Sequence, residues 1–289
     1  MTVQTHPHVS RDLRLAARQG LLPARSSGWL AGFGNMLAKE MGEWFRTRRW
    51  LWQLLIWSVI LGGLIAFFLF VLPVLNTLMP GLPTQEQVFV GTPPEVGAMI
   101  QFFSFLVMTG TIGAIILAQD EIIQEKQSGT AAWIISKPAA RQAFILTKLL
   151  SNAIGVLVFI VAIPGLIILG EIFLATHKVP ALAPFVAGAG VVWLALFFYI
   201  SLVIMLGVMF ENRGPVLGIA FGVLWGGMIL RNFIPQILYV LPLGMEGVAL
   251  GVVQGIPLPA LYVSELISTA VLSILFTLVA LWRFQKVEL

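Results

Sequence analysis

Long apolar runs separated by short polar segments dominate the pattern along this chain. Six of them are candidate membrane spans, at residues 51–73, 98–119, 144–170, 184–210, 216–231 and 263–282. About 20 apolar residues cross the hydrocarbon core of a bilayer as a helix. The apolar positions are continuous rather than alternating, and the runs are too long for barrel strands. Each is therefore predicted as a helix, which satisfies its own backbone where no water can. The first run carries no charge and ends at Pro73. The third has Lys148 near its start and Pro164 within it, and the sixth opens with Glu265. The expected fold is an all-α polytopic membrane protein with six transmembrane helices.

The segments between the runs are not uniform. Residues 232–262 are apolar but broken by Pro235, Pro242, Gly244, Gly247, Gly251, Gly255, Pro257 and Pro259. That punctuation fits a re-entrant outer segment of two short helices better than a seventh span, because irregular backbone at membrane depth needs protein around it. Ahead of the first run, residues 28–50 read GWLAGFGNMLAKEMGEWFRTRRW. Apolar residues there recur every three to four positions, with Lys39, Glu40, Glu43, Arg46 and Arg48 filling most of the rest. Residues 29–50 are thus predicted as an amphipathic helix lying in the membrane interface. Residues 1–28, with four arginines and no apolar run, read as a flexible tail rather than a secretory signal.

Composition agrees with lipid as the main solvent. Of 289 residues, 58% are hydrophobic and 10% charged, against roughly 25% charged in a soluble domain. Mean hydropathy is +0.95. The absence of cysteine removes disulfides and thiolate metal sites, and three scattered histidines make a poor metal site. Lys and Arg gather before the first run, between the second and third, between the fourth and fifth, and after the sixth. By the positive-inside rule both termini are expected in the cytoplasm. The ionisable residues noted in the runs, Lys148, Arg231 and Glu265, sit near run ends, where a long side chain can snorkel. Such runs lack the deep charges of an ion-coupled carrier and the paired groups of an intramembrane protease. No Gly-rich phosphate loop is present, so the chain is not expected to hydrolyse ATP itself. Gly218, Gly222 and Gly226 fall four apart in the fifth run, which allows close packing within the bundle or a dimer interface.

The polar segment EKQSGTAAWIISKPAARQAFILTK, Glu125–Lys148, interrupts this pattern between the second and third runs. Gly129 suits a helix end, Thr130 can cap a new helix over residues 131–136, and Pro138 stops that helix or opens the next. A helix so short needs a surface or a partner to be stable. The order Glu125-Lys126-x-x-Gly129-Thr130, then Pro138, Arg141 and Lys148, resembles the signature of type-2 ATP-binding-cassette (ABC) transporter permeases. The upstream KEMGEWFRTRRW is similar to that family's interfacial helix.

The resemblance implies a permease subunit that exports an unidentified substrate across the cell (plasma or inner) membrane. It implies a separate ABC ATPase subunit in two copies, which binds ATP and Mg, and a second permease chain completing a homo- or heterodimer. No catalytic, cofactor or metal residue is then expected in this chain, and no nucleic-acid partner. The Glu125–Lys148 loop would carry a short coupling helix docking on the ATPase through Glu125, Gly129, Thr130, Trp133, Pro138 and Arg141. The alternatives are a channel or scaffold, or an ion-coupled carrier, with no ATPase partner.

Overall fold

The computed structural model describes residues 28, 30–79, 81–89, 91–129 and 140–286. The amphipathic helix α1 spans Phe33–Arg46. Six helices long and apolar enough to cross a membrane follow, and no strand occurs among the described residues. They are α2 (Arg49–Leu78), α4 (Pro94–Ala118), α6 (Arg141–Thr176), α7 (Leu182–Met209), α8 (Arg213–Leu230) and α10 (Ala260–Gln285). Short helices fill the connections: α3 (Gln85–Val88), α5 (Ile123–Gln127), which extends α4 past a loosened turn, and α9 (Met245–Gln254). This is the architecture of a multi-pass membrane protein.

α7 is the axis of the bundle. Its most apolar window is 78% buried, whereas those of α2, α8 and α10 are 28%, 17% and 22% buried. The core around α7 is aromatic and branched, with Phe102, Phe103 and Phe185 in mutual contact and Phe198 against Phe276. Glycines set the closest approaches. Gly113 lies under the Trp57 ring and Gly155 under the Trp44 ring, with no room for a Cβ at either.

Three boundaries differ from the sequence expectation, each for a local reason. The amphipathic helix does not run on to residue 50, because Arg48 takes a left-handed conformation (φ 56°) and redirects the chain into α2. The first long helix does not stop at Pro73 but continues to Leu78. A wide π-turn at Phe67–Val71 precedes the proline, and Gln85 Nε2 donates to the Phe68 and Leu69 carbonyls (2.7 and 3.2 Å). These are the carbonyls that the missing proline N–H leaves open. The third helix reaches Thr176 rather than 170, which brings Glu171 inside it. Between α8 and α10 lie the two expected short elements, a 3-10 turn at Pro235–Tyr239 and α9.

The two ends of α4 test this topology in the cysteine-free chain. Single cysteines introduced at Thr92 and Ser128 should react with an impermeant thiol reagent from opposite sides of the membrane. Reaction from the same side would contradict six crossings.

Candidate functional site

The basic residues collect at one end of the bundle, and there Lys148 is the centre of a charged cluster. It is 2% exposed, a burial that requires paired partners. Its Nζ lies 2.7 Å from Glu40 Oε2, 2.7 Å from Glu125 Oε1 and 3.4 Å from Glu121 Oε2. An ammonium has three donors, and here each faces a carboxylate from a different stretch: Glu40 in α1, Glu121 in the turn after α4, and Glu125 in α5. Arg49, at the start of α2, adds a 2.5 Å pair to Glu121 Oε1 and a 2.8 Å bond to the Leu117 carbonyl. Lys39 sits 3.5 Å from both Glu40 and Glu125. Glu43 pairs with Lys39 as well (3.5 Å) and with Arg46 (3.9 Å), so four acids, Glu40, Glu43, Glu121 and Glu125, are balanced by four bases, Lys39, Arg46, Arg49 and Lys148. Burial pushes the Glu40 carboxyl above its ordinary range although Lys148 beside it pulls the other way. Burial alone would lower the Lys39 ammonium, but Glu125, Glu40 and Glu43 outweigh it and hold it high.

Apolar packing delivers α1 to this cluster. Trp44 is buried, stacks on Phe159 of α6 at 5.6 Å between ring centroids, and carries the Arg49 guanidinium 4.7 Å above its ring. Glu40 lies one turn before Trp44 and therefore meets Lys148, on the same stretch of α6 as Gly155 and Phe159.

The residues flanking 130–139 reach the remaining long helices. Lys126 Nζ donates to the Phe210 and Val208 carbonyls (3.0 and 3.3 Å) at the end of α7. Arg141 Nη1 donates to the Gln285 carbonyl (3.0 Å) at the end of α10. Both place a cation where a helix exposes unpaired carbonyls and negative dipole. Asp120 pairs with Arg213 at the start of α8 (2.7 Å). Residues 119–148 therefore hold, through their charged members, α1 and the near ends of all six long helices. A cavity of about 670 Å³ opens beside Lys148, lined in part by Lys39, Arg49, Asp120, Glu121 and Glu125.

This placement sorts the expected site residues. Glu125 is turned inward onto Lys148, with its side chain 12% exposed, and Arg141 reaches across to α10. Gly129 closes α5 in a left-handed conformation (φ 72°), as a helix-ending glycine should. Thr130, Trp133 and Pro138, with the expected coupling helix, lie outside the described residues. Lys148 does not snorkel to the surface; the carboxylates around it make burial the better place for its charge. Gly218, Gly222 and Gly226 make no close packing within this chain, since a Cβ at each would meet nothing within 4 Å. α8 stands at the bundle edge, and its neighbour Gly227 is the glycine pressed against Leu243.

Of two carboxyls inside the long helices, the sequence reading missed one and misjudged the burial of the other. Glu171 was missed because the third run was ended at 170; its Oε1 faces Gly62 of α2 and its Oε2 is buried without a hydrogen bond. Glu265 was placed at a run end, but it is fully buried, and only Gly244 across the 232–262 break could have betrayed its partner.

The chain belongs to the family described as "Protein of unknown function (DUF2705)", which matches residues 83–289. That match takes in the acidic and basic residues of the 119–148 segment, while α1 and α2 precede it. No curated protein matches the chain.

Removing one partner of a buried ion pair costs about 3–5 kcal/mol, so Lys148→Met should lower the thermal stability of the detergent-solubilised chain by that order. Lys178→Met, which breaks the exposed 2.8 Å pair with Glu95, should cost within about 1 kcal/mol. Equal losses in the two variants would contradict the central place of Lys148.

Proposed function

We propose that this chain is the membrane-spanning permease subunit of an ABC-type exporter, driven by ATP hydrolysed in a separate ATPase subunit. The observation that carries the reading is mechanical. Residues 130–139 are bounded on both sides by charged residues anchored to every long helix and to α1. A partner that pushes on this segment moves the whole end of the bundle, because the buried pairs transmit displacement rather than absorb it. The sequence signature that suggested a permease, Glu125, Lys126, Gly129, Thr130, Pro138, Arg141 and Lys148 with Glu40 upstream, includes these anchoring charges.

On this reading the basic end faces the cytoplasm, both termini lie there, and the protein resides in the plasma or inner membrane. Two ATPase copies bind ATP and Mg and dock on residues 129–139, through Gly129, Thr130, Trp133 and Pro138. Glu125 and Arg141 then serve as anchors behind that surface. A second permease chain, identical or related, covers the free glycine face of α8, where exposed Trp225 and Ile229 leave an apolar groove beside Gly222 and Gly226. Glu171, a carboxyl in the interior of a long helix, favours a second reading as an ion-coupled carrier.

Co-expression with a candidate ATPase separates the two. Replacing residues 130–139 by a Gly/Ser linker, with Arg141 retained, should abolish ATPase co-purification and ATP-dependent export while the purified chain keeps its fold. Undiminished ATPase association and export would refute the coupling role. Gradient-driven transport by the chain without any ATPase would establish the carrier instead.

A further inference from the structure

The charged residues flanking 130–139 and their partners form a collar around the basic end of the bundle, and the buried face of α10 carries a run of polar side chains that the collar does not use. Glu265, Thr269 and Ser273 are spaced by four and are at most 1% exposed, and Thr277 continues the row. Each hydroxyl donates its proton to the backbone carbonyl one turn earlier: Thr269 to Glu265 (2.6 Å), Ser273 to Thr269 (2.7 Å) and Thr277 to Ser273 (2.8 Å). With the protons committed, the row presents only oxygen lone pairs. Small residues along a helix are ordinarily explained by close packing. Glu265 needs more than that. It is a fully buried carboxyl whose Oε2 has no hydrogen-bond partner. Tyr199 of α7 adds a second orphan, a 2% exposed hydroxyl without a partner. Tyr199 follows Phe198, which contacts Phe276 of α10.

α9 closes this row at the end of the bundle away from the collar. Glu265 Oε1 accepts a 2.5 Å hydrogen bond from the Gly244 N–H, at the N-cap of α9. Arg231 Nη1 donates to the neighbouring Leu243 carbonyl at 2.8 Å. Gly244 has no space for a Cβ because Glu265 Oε2 lies against it, and Gly247 is likewise pressed on the Tyr262 ring. Met245 and Val248 of α9 then pack against Ala195 of α7. Two polar contacts, one from α10 and one from the end of α8, thus hold the start of α9 in place.

We propose that the Glu265–Thr269–Ser273 face is a polar cargo track, closed at its outer end by α9, with the Glu265–Gly244 contact as the latch. The track fits an amphiphile whose head is a hydrogen-bond donor, such as an amine, because it offers a carboxylate oxygen and hydroxyl lone pairs in a row. It rests on the transport reading, with the collar end cytoplasmic.

Cysteine accessibility in nanodiscs tests this without ATP or a partner. Ser273→Cys should resist an impermeant thiol reagent applied from the outer side in the otherwise native chain. Its labelling should rise about tenfold with Glu265→Ala, the shift that accompanies loss of one charge-assisted hydrogen bond. Glu265→Gln keeps an acceptor for the Gly244 N–H and should restore protection. If Glu265→Ala does not fold, Arg231→Ala releases the other contact and should raise labelling in its place. Equal labelling in the native background and in a folded latch variant overturns the latch. In the Arg231→Ala background, where Glu265 remains, dodecylamine should slow labelling and 1-methoxydodecane, which has no donor, should not. Equal slowing by both overturns the donor-selective track. A labelling pattern as expected, with no ATPase pairing, would fail the ATP-driven reading alone.

Discussion

One ammonium facing three carboxylates is the contact on which the rest of this molecule depends. A lysine so deeply buried is tolerated only because Glu40, Glu121 and Glu125 surround it. The acids come from α1, from the turn after α4 and from α5, so satisfying the charge fixes these segments relative to α6. Such a cluster contributes little net stability over an apolar substitute, but it is severe about geometry. That severity suits a device that must pass a displacement intact. Stacking of Trp44 on Phe159 and the close approach at Gly155 supply the apolar adhesion that the ion pairs do not.

The two ends of the bundle are built from different chemistry. At the collar, charges neutralise one another and cap helix ends, which ties the elements to one another. At the far end, the start of α9 is held by two hydrogen bonds and glycine-mediated contacts beside its apolar packing on α7, and no charged cluster like that of Lys148 stands there among the described residues. Between them α7 runs through the most buried part of the molecule. A tightly paired end and a lightly held end joined by one central helix are what the proposed transport reading calls for.

The long helices were legible because lipid demands continuous apolar runs, and no competing arrangement satisfies the backbone. Their ends were less legible. Pro73 looked like a stop, yet Gln85, twelve residues further on, accepts the task of pairing the freed carbonyls. Within the site, the pattern identified Glu125, Arg141 and Lys148 as a group but assigned their faces by proximity to the loop. A local pattern cannot show that Lys148 and Glu40, separated by 108 residues, share a contact, nor that Lys126 and Arg141 reach the C-terminal ends of α7 and α10. Glu265 and Gly244 were each visible as a charge and a break. Only the fold brings the carboxylate to the N–H.

The central claim is that Lys148 unites separate elements, and hydrogen–deuterium exchange of the native chain and Lys148→Met in nanodiscs addresses it directly. The account predicts that exchange rises together in α1 and in α5, both remote from residue 148 in sequence, while α9 at the far end keeps its native protection. A rise confined to the turns of α6 around residue 148, with α1 and α5 unchanged, would contradict it.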